Sequence, residues 1–221
     1  MFSLAVSVPY DSVKKTFDTS QFAVTDTGDR VRNTILKCDV YTGARVVAAT
    51  VLRWPNVLDQ CPRGAVRWPD VLRKCKQTAM TWAEVQRQCP GVVHEGRADH
   101  AEYRTLQHFD TLVRNLNQND FMLFYVLSSP CDKRCASKSS RWSILENMKK
   151  IRKWKNYAVV FSDVFKPRSG KPIPEEDRRG ALYRLGQSVG LNNIYRCTRK
   201  GAMQCTRCSS GNQVTPFCYS D

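Results

Sequence analysis

Nowhere in the chain is there an apolar run approaching the roughly 20 residues that a membrane-spanning helix needs, so no membrane partner is expected. The opening Met-Phe-Ser-Leu-Ala-Val-Ser-Val has neither the basic start nor the long apolar stretch of a secretory signal peptide. No Ser/Gly-rich or Pro-rich tract divides the 221 residues, which argues against disorder and against a flexible linker between halves. We therefore read residues 1–221 as a single domain. Acidic residues are scarce: 20 Asp and Glu stand against 35 Lys and Arg, for a net charge of +15. That balance favours a polyanionic partner, nucleic acid first, because each cation placed at a phosphate releases condensed counterions. Solubility and binding to acidic surfaces are the alternatives that composition leaves open. Histidine is scarcer still, with three in the chain.

Cysteine, by contrast, is abundant. Ten in a chain of this length point to an oxidising compartment, and hence to a secreted protein, because free thiols are liabilities unless they pair or bind metal. Three of them end an internal repeat within residues 53–96: Leu-Arg-Trp-Pro-Asn-Val-Leu-Asp-Gln-Cys61, Val-Arg-Trp-Pro-Asp-Val-Leu-Arg-Lys-Cys75 and Met-Thr-Trp-Ala-Glu-Val-Gln-Arg-Gln-Cys89. Trp54, Trp68 and Trp82 share the cysteines' period. A Pro after Trp suits the first helical position, and the Trp-to-Val spacing puts both on one face, so each unit reads as a short helical turn. The repeat is expected to be a disulfide-stapled insertion with buried tryptophans; a substrate-gating or partner-binding surface is the other reading.

Around it the pattern alternates. Residues 33–51 read as a β-hairpin. Asp99 is placed to cap a helix running to Leu116, and Asp120–Leu127 is an apolar run of strand length, expected at the centre of a sheet covered on both faces. Trp142, Leu145, Met148 and Ile151 or Trp154 mark a second helix. A strand follows over Tyr157–Phe165, then a helix from Pro174 to about Val189, and a short strand over Asn193–Cys197. Helices alternating with strands imply an α/β fold with parallel crossovers.

Two short motifs carry chemistry. His100-Ala101-Glu102 opens the first helix, and Pro130-Cys131-Asp-Lys-Arg-Cys135 is expected to open the second. One imidazole and two thiolates make a three-ligand zinc set with a fourth tetrahedral position left for water, which marks a catalytic ion rather than a structural one. Thiolates at a helix start are further favoured by its dipole. Glu102, two residues after His100, is the general acid/base and not a ligand. The pattern is that of zinc nucleobase deaminases, with three residues between the cysteines where two are usual; an i,i+4 pair on one helical face still permits chelation.

From Thr34-Ile-Leu-Lys-Cys-Asp-Val-Tyr through His100-Ala-Glu and Ser129-Pro-Cys131 to Phe161-Ser-Asp-Val-Phe165, the chain resembles the AID/APOBEC polynucleotide cytidine deaminases. The cysteine richness resembles the secreted deaminases of this kind in fishes. The resemblance implies a cytidine-deaminase-like fold, a five-stranded mixed sheet flanked by helices, here with the disulfide-rich insertion and a Cys-rich extension over residues 197–221. It implies one catalytic zinc and hydrolysis of cytosine to uracil in single-stranded DNA. RNA is the second substrate considered, and a secreted basic nucleic-acid-binding protein with a structural zinc is the alternative class. Thr34 and Arg32 match pocket and phosphate positions, Ala101 and Ser129 flank the metal motifs, and Phe165 and Arg168 lie at the context-reading loop. The tryptophan usual at Ser128 and the paired tyrosines usual in that loop are absent. A monomer is expected.

Other readings are weaker. His94-Glu95 lacks the second histidine of a zincin, since Ala98 stands there. Cys205-Thr-Arg-Cys208, with Cys197 and Cys218, has zinc-module spacing, but four cysteines before the site and four after fit four disulfides better. His108 is read as a surface residue. Lys149-Lys-Ile-Arg-Lys-Trp154-Lys155 offers either a backbone track with a stacking tryptophan or a solvated helix face. Arg168, Lys171, Arg178 and Arg179 flank the presumed substrate loop.

Overall fold

The computed structural model describes residues 1–20, 25–167 and 170–220. In chain order, β1 (Phe2–Val8) is followed by a small hairpin, β2 (Tyr10–Asp11) and β3 (Thr16–Phe17), and by helix α1 (Gly28–Leu36). Next come β4 (Tyr41–Thr42), β5 (Val46–Thr50), β6 (Leu52–Arg53), and three short helices, α2 (Val57–Gln60), α3 (Pro69–Lys74) and α4 (Trp82–Gln88). Strand β7 (Ala98–Asp99) leads into α5 (Ala101–Gln107), α6 (Asp110–Arg114) and β8 (Phe121–Ser128). The chain continues through α7 (Leu145–Met148), β9 (Asn156–Asp163), α8 (Glu175–Val189), β10 (Ile194–Lys200) and β11 (Ala202–Arg207). A last small hairpin, β12 (Ser209–Ser210) and β13 (Gln213–Val214), closes the tail.

The large sheet is mixed, in the order β11-β10-β9-β8-β1-β5-β4. Strands β8, β9 and β10 run parallel, with α7 and α8 as crossovers, while β1 lies antiparallel to both β8 and β5. The α/β architecture is as expected, but the sheet has seven strands rather than five. One extra edge is β11, the tail doubling back on β10 with Cys197 and Cys205 joined across the pair; the other is the two-residue β4.

Two further expectations are corrected. The hairpin read over 33–51 begins only at Tyr41: the stretch before it is α1, whose start is capped by the Thr27 side chain accepting from the Arg30 backbone. Its place beside β8 is taken by β1, where Ser3, Ala5 and Val6 are buried. The helix expected from Asp99 to Leu116 breaks at His108–Phe109 into α5 and α6.

Beneath the sheet, Phe109, Phe124, Trp154 and Phe161 pack with Leu182, Leu185 and Met148 into the main core. Trp154 therefore offers no stacking face; it is buried against Phe109, with ring centroids 5.7 Å apart. The basic run around it is a helix face whose charges are partly engaged, Lys149 with Glu146 and Lys150 with Asp110.

The Trp/Cys repeat forms a second core of its own. Trp54, Trp68 and Trp82 are buried together with Val57, Val71 and Val85, and each fully buried Val contributes about 1.5–3 kcal/mol relative to exposure. Cys75 and Cys89, the C-caps of α3 and α4, are bonded to each other, and Cys61 is bonded to Cys38 just past α1. Together with Cys197–Cys205 and Cys208–Cys218, this makes four disulfides and removes the tail cysteines as zinc ligands. Cys131 and Cys135 remain free. The repeat is closed at its base by the two-residue ladder of β6 and β7, Leu52 against Asp99 and Arg53 against Ala98.

Inside the repeat, Arg97 grips Asp70 with two hydrogen bonds of 2.6 and 2.7 Å and lies 4.2 Å over the Trp68 ring. The Arg97 guanidinium lowers the Asp70 carboxyl from 3.8 to about 2. A carboxyl depressed in the folded state stabilises above the unfolded value, and that stabilisation is lost as pH falls through 3.8 toward 2. Because Asp70 is about a third exposed, screening limits the contribution to about 1 kcal/mol. Asp70→Asn should lower urea stability by about that amount at pH 7 and leave it equal to the parent near pH 2.

Candidate metal centre

His100, Cys131 and Cys135 come together from two segments. His100 is the N-cap residue of α5, delivered by the short strand β7. Cys131 and Cys135 lie in the loop that leaves the C-terminal end of β8. In α/β sheets the C-terminal ends of parallel strands are where loops gather a site.

The expected second helix start is absent: Cys131–Cys135 form a tight turn, and α7 begins only at Leu145. The cysteines therefore do not sit at the start of a helix of their own. The turn itself takes the place of a helix start, since the Cys135 backbone N–H donates to the Cys131 sulfur at 3.3 Å and the Ala136 N–H to the Cys131 carbonyl at 2.9 Å. Asp99 does not cap α5 either. Its carboxylate is taken by two indoles, Trp68 Nε1 at 2.8 Å and Trp142 Nε1 at 3.1 Å.

The donor atoms suit a tetrahedral ion. His100 Nδ1 lies 3.1 Å from Cys135 Sγ and 3.6 Å from Cys131 Sγ, and all three ligand atoms fall within 4.8 Å of one another. Bonds of about 2.0 Å to nitrogen and 2.3 Å to sulfur at tetrahedral angles place N and S about 3.5 Å apart. Both thiols are buried, and the group is one that could hold a metal ion.

Charge at the cluster points the same way. Cys131 is held well below the ordinary thiol range, chiefly by its hydrogen bond with Cys135 and, against burial, by the His100 imidazole. Cys135 goes the other way, raised by the bond to Cys131 and by burial. Burial opposes a charged imidazole at His100, but the Cys131 sulfur and the Glu102 carboxylate outweigh it and push His100 up to about 10. Burial also works to raise Glu102, and His100, with Nδ1 3.8 Å from Oε1, more than offsets this. Three acids and a base thus share protons in a dry place, an arrangement that a cation satisfies by displacing the protons.

A cavity of about 390 Å³ opens onto His100 and Cys131. Its wall includes Phe165, whose ring centroid is 6.1 Å from that of His100, with Pro167, Ile173 and Pro174. Cations surround it: Arg53 from β6, Lys133 and Arg134 from the cysteine turn, and Lys171 before α8. The charges of Asp132 and Asp177 offset only part of these.

Placement of the other expected residues is mixed. Ser129 is buried beside the site, where its hydroxyl oxygen accepts the Phe165 N–H at 3.0 Å, so it sets the aromatic wall. Ala101 is fully buried and Glu102 lies behind His100 rather than in the cavity wall. Thr34 and Arg32 are not brought to the site: both ride on α1, where the Thr34 hydroxyl donates to the Arg30 carbonyl at 2.8 Å, and Thr34 lines a separate cavity with Arg104 and His108. The reason is the helix that replaces the expected strand there. Arg168 lies outside the described residues. Lys171 reaches the cavity, whereas Arg179 lines another with Tyr183 and Tyr219. Arg53 and Arg134 were not singled out in the sequence; their nearness to Trp54 and to the cysteine pair was the available signal.

A family model described as Secreted Novel AID/APOBEC-like Deaminase 1 matches residues 74–221, a span that contains all three ligand residues and Glu102. No curated protein and no solved structure matches the chain.

The pairing scheme is directly countable. Unreduced protein in denaturant, with metal chelated, should give two reactive thiols per chain, and ten after full reduction. Four or more before reduction would contradict it.

Proposed function

Because the chain belongs to the Secreted Novel AID/APOBEC-like Deaminase 1 family, we propose that it hydrolyses cytosine to uracil in single-stranded DNA with one zinc ion held by His100, Cys131 and Cys135. Family membership makes it a deaminase of the cytidine class. The observation that carries the finer reading is the set of one imidazole and two buried thiols at tetrahedral spacing with an unligated carboxylate, Glu102, directly behind it. A purely structural ion takes four protein ligands and has no use for such a carboxylate.

Held by His100, Cys131 and Cys135, a zinc ion would supply a water acidified to near neutral pH. With the ion and substrate in place, the Glu102 carboxylate would take a proton from the attacking water and pass it to the ring nitrogen of cytosine. A second proton transfer through the same carboxylate releases the exocyclic amine as ammonia, leaving the carbonyl of uracil. Burial of Glu102 keeps bulk water from competing for that proton. Phe165, held by Ser129, offers an aromatic face for a base beside the target, and Arg53, Lys133, Arg134 and Lys171 suit the phosphates of a strand that brings an unpaired base to the cavity. Polymeric substrate is favoured over free cytidine by these cations and by the net +15. DNA is chosen over RNA on the family resemblance alone. Secretion is supported by the family description and by four disulfides, which persist in an oxidising compartment.

The test is uracil formation on matched single-stranded DNA, single-stranded RNA and free cytidine. Product is expected from DNA, and Glu102→Ala should reduce it by about 10²–10⁴-fold with one zinc per chain retained. Full activity in that variant overturns the assigned role, and product from RNA alone overturns the substrate.

A further inference from the structure

The Trp/Cys repeat sits apart from the sheet with its own core, and nothing in the chemistry above requires it. Its position says otherwise. It leaves the main chain at Arg53 and returns at Ala98, and the ladder that closes it, β6 against β7, ends one residue before His100. That last residue of the ladder is Asp99.

The geometry points to the repeat as a positioning module for the metal centre, in which the indole N–H groups of Trp68 and Trp142 hold the Asp99 carboxylate and thereby set the His100 imidazole. Each indole takes a different oxygen: Trp68 Nε1 donates to Oδ2 at 2.8 Å and Trp142 Nε1 to Oδ1 at 3.1 Å. Trp68 belongs to the repeat and Trp142 to the loop that follows the ligand cysteines, so Asp99 ties the two together across the site. A third tie runs parallel to these. Arg134, inside the cysteine turn, donates to the Ala98 carbonyl at 3.1 Å and lies 5.0 Å over the Trp142 ring.

Trp68 is itself immobilised. It packs edge-on against Trp82 with centroids 4.8 Å apart, carries Arg97 over its ring, and starts the helix that Cys75–Cys89 fastens to its neighbour. A carboxylate held at both oxygens fixes the backbone on which the next residue stands. Outer groups that orient a ligand in this way typically shift metal affinity by about 10–100-fold when removed. Asp99, Trp68 and Trp142 are thus positioning residues, which act on the centre through the backbone that carries His100.

This inference rests on the metal-dependent reading above, and the experiment separates the two. Metal-stripped protein is titrated with zinc against a chromophoric chelator, using the parent, Trp68→Phe, Trp142→Phe, Asp99→Asn, the double variant Trp68→Phe/Asp99→Asn, and Trp82→Phe. Trp68→Phe keeps the aromatic packing and deletes the donor; it should weaken zinc binding about tenfold, as should Trp142→Phe. The double variant should be no weaker than Asp99→Asn alone, because a donor without its acceptor has nothing left to lose. Trp82→Phe, equally buried in the same cluster, should stay within about twofold of the parent, which a merely structural role for the repeat would not predict. Should Trp68→Phe fail to fold, Trp142→Phe, on a half-exposed ring, carries the test with the same expected loss. Parental zinc affinity in the foldable donor variants and Asp99→Asn, or an equal loss in Trp82→Phe, overturns the inference alone. A parent that binds no zinc overturns the functional reading and this one with it.

Discussion

A half-buried imidazole facing two buried sulfurs and a buried carboxylate is a costly arrangement, because charge removed from water must be balanced on the spot. At His100, Cys131, Cys135 and Glu102 the balance is struck among four groups from two segments that lie far apart in the chain. Most of what is unusual in the structure serves to hold those segments together. The large sheet aims the turn after β8 at the start of α5, the Arg134 bond draws that turn toward β7, and Ser129 extends the same arrangement to the aromatic wall.

The disulfides lie outside this centre and leave its two thiols alone. Each bond closes a short stretch on one side of it: the repeat and its anchor to α1 before, the tail after. The separation matters chemically. Ten cysteines in an oxidising compartment can mispair, and a metal that claims Cys131 and Cys135 as thiolates protects them from exchange.

The clustering of His100 with Cys131 and Cys135 was legible in the sequence because its information is local: His100-Ala-Glu102 and Pro130-Cys131-x-x-x-Cys135 carry it in a few residues each. The Trp repeat was legible for the same reason, since Trp-to-Val spacing and Thr81 with Glu84, which form a capping box, announce helical turns. Long-range pairing was not. Phe2–Val8 lies between β8 and β5 in the middle of the sheet, yet nothing local to those residues names their partners. Thr34 and Ile35 suggested a strand by their branched side chains, where the Thr27 cap and tertiary packing make a helix. That one exchange of strand for helix removed Thr34 and Arg32 from the site. Trp154 and Asp99 failed differently: each was given a role from its neighbours in sequence, whereas its partners, Phe109 for one and two distant indoles for the other, come from elsewhere in the fold.

X-ray absorption at the zinc edge of the purified protein tests the central claim most directly, because it reads the ligands without reference to any substrate. The account predicts two sulfur scatterers at about 2.3 Å and two lighter ones at about 2.0–2.1 Å, one with the outer-shell signature of imidazole. Four sulfurs, or no bound zinc at all, would contradict it.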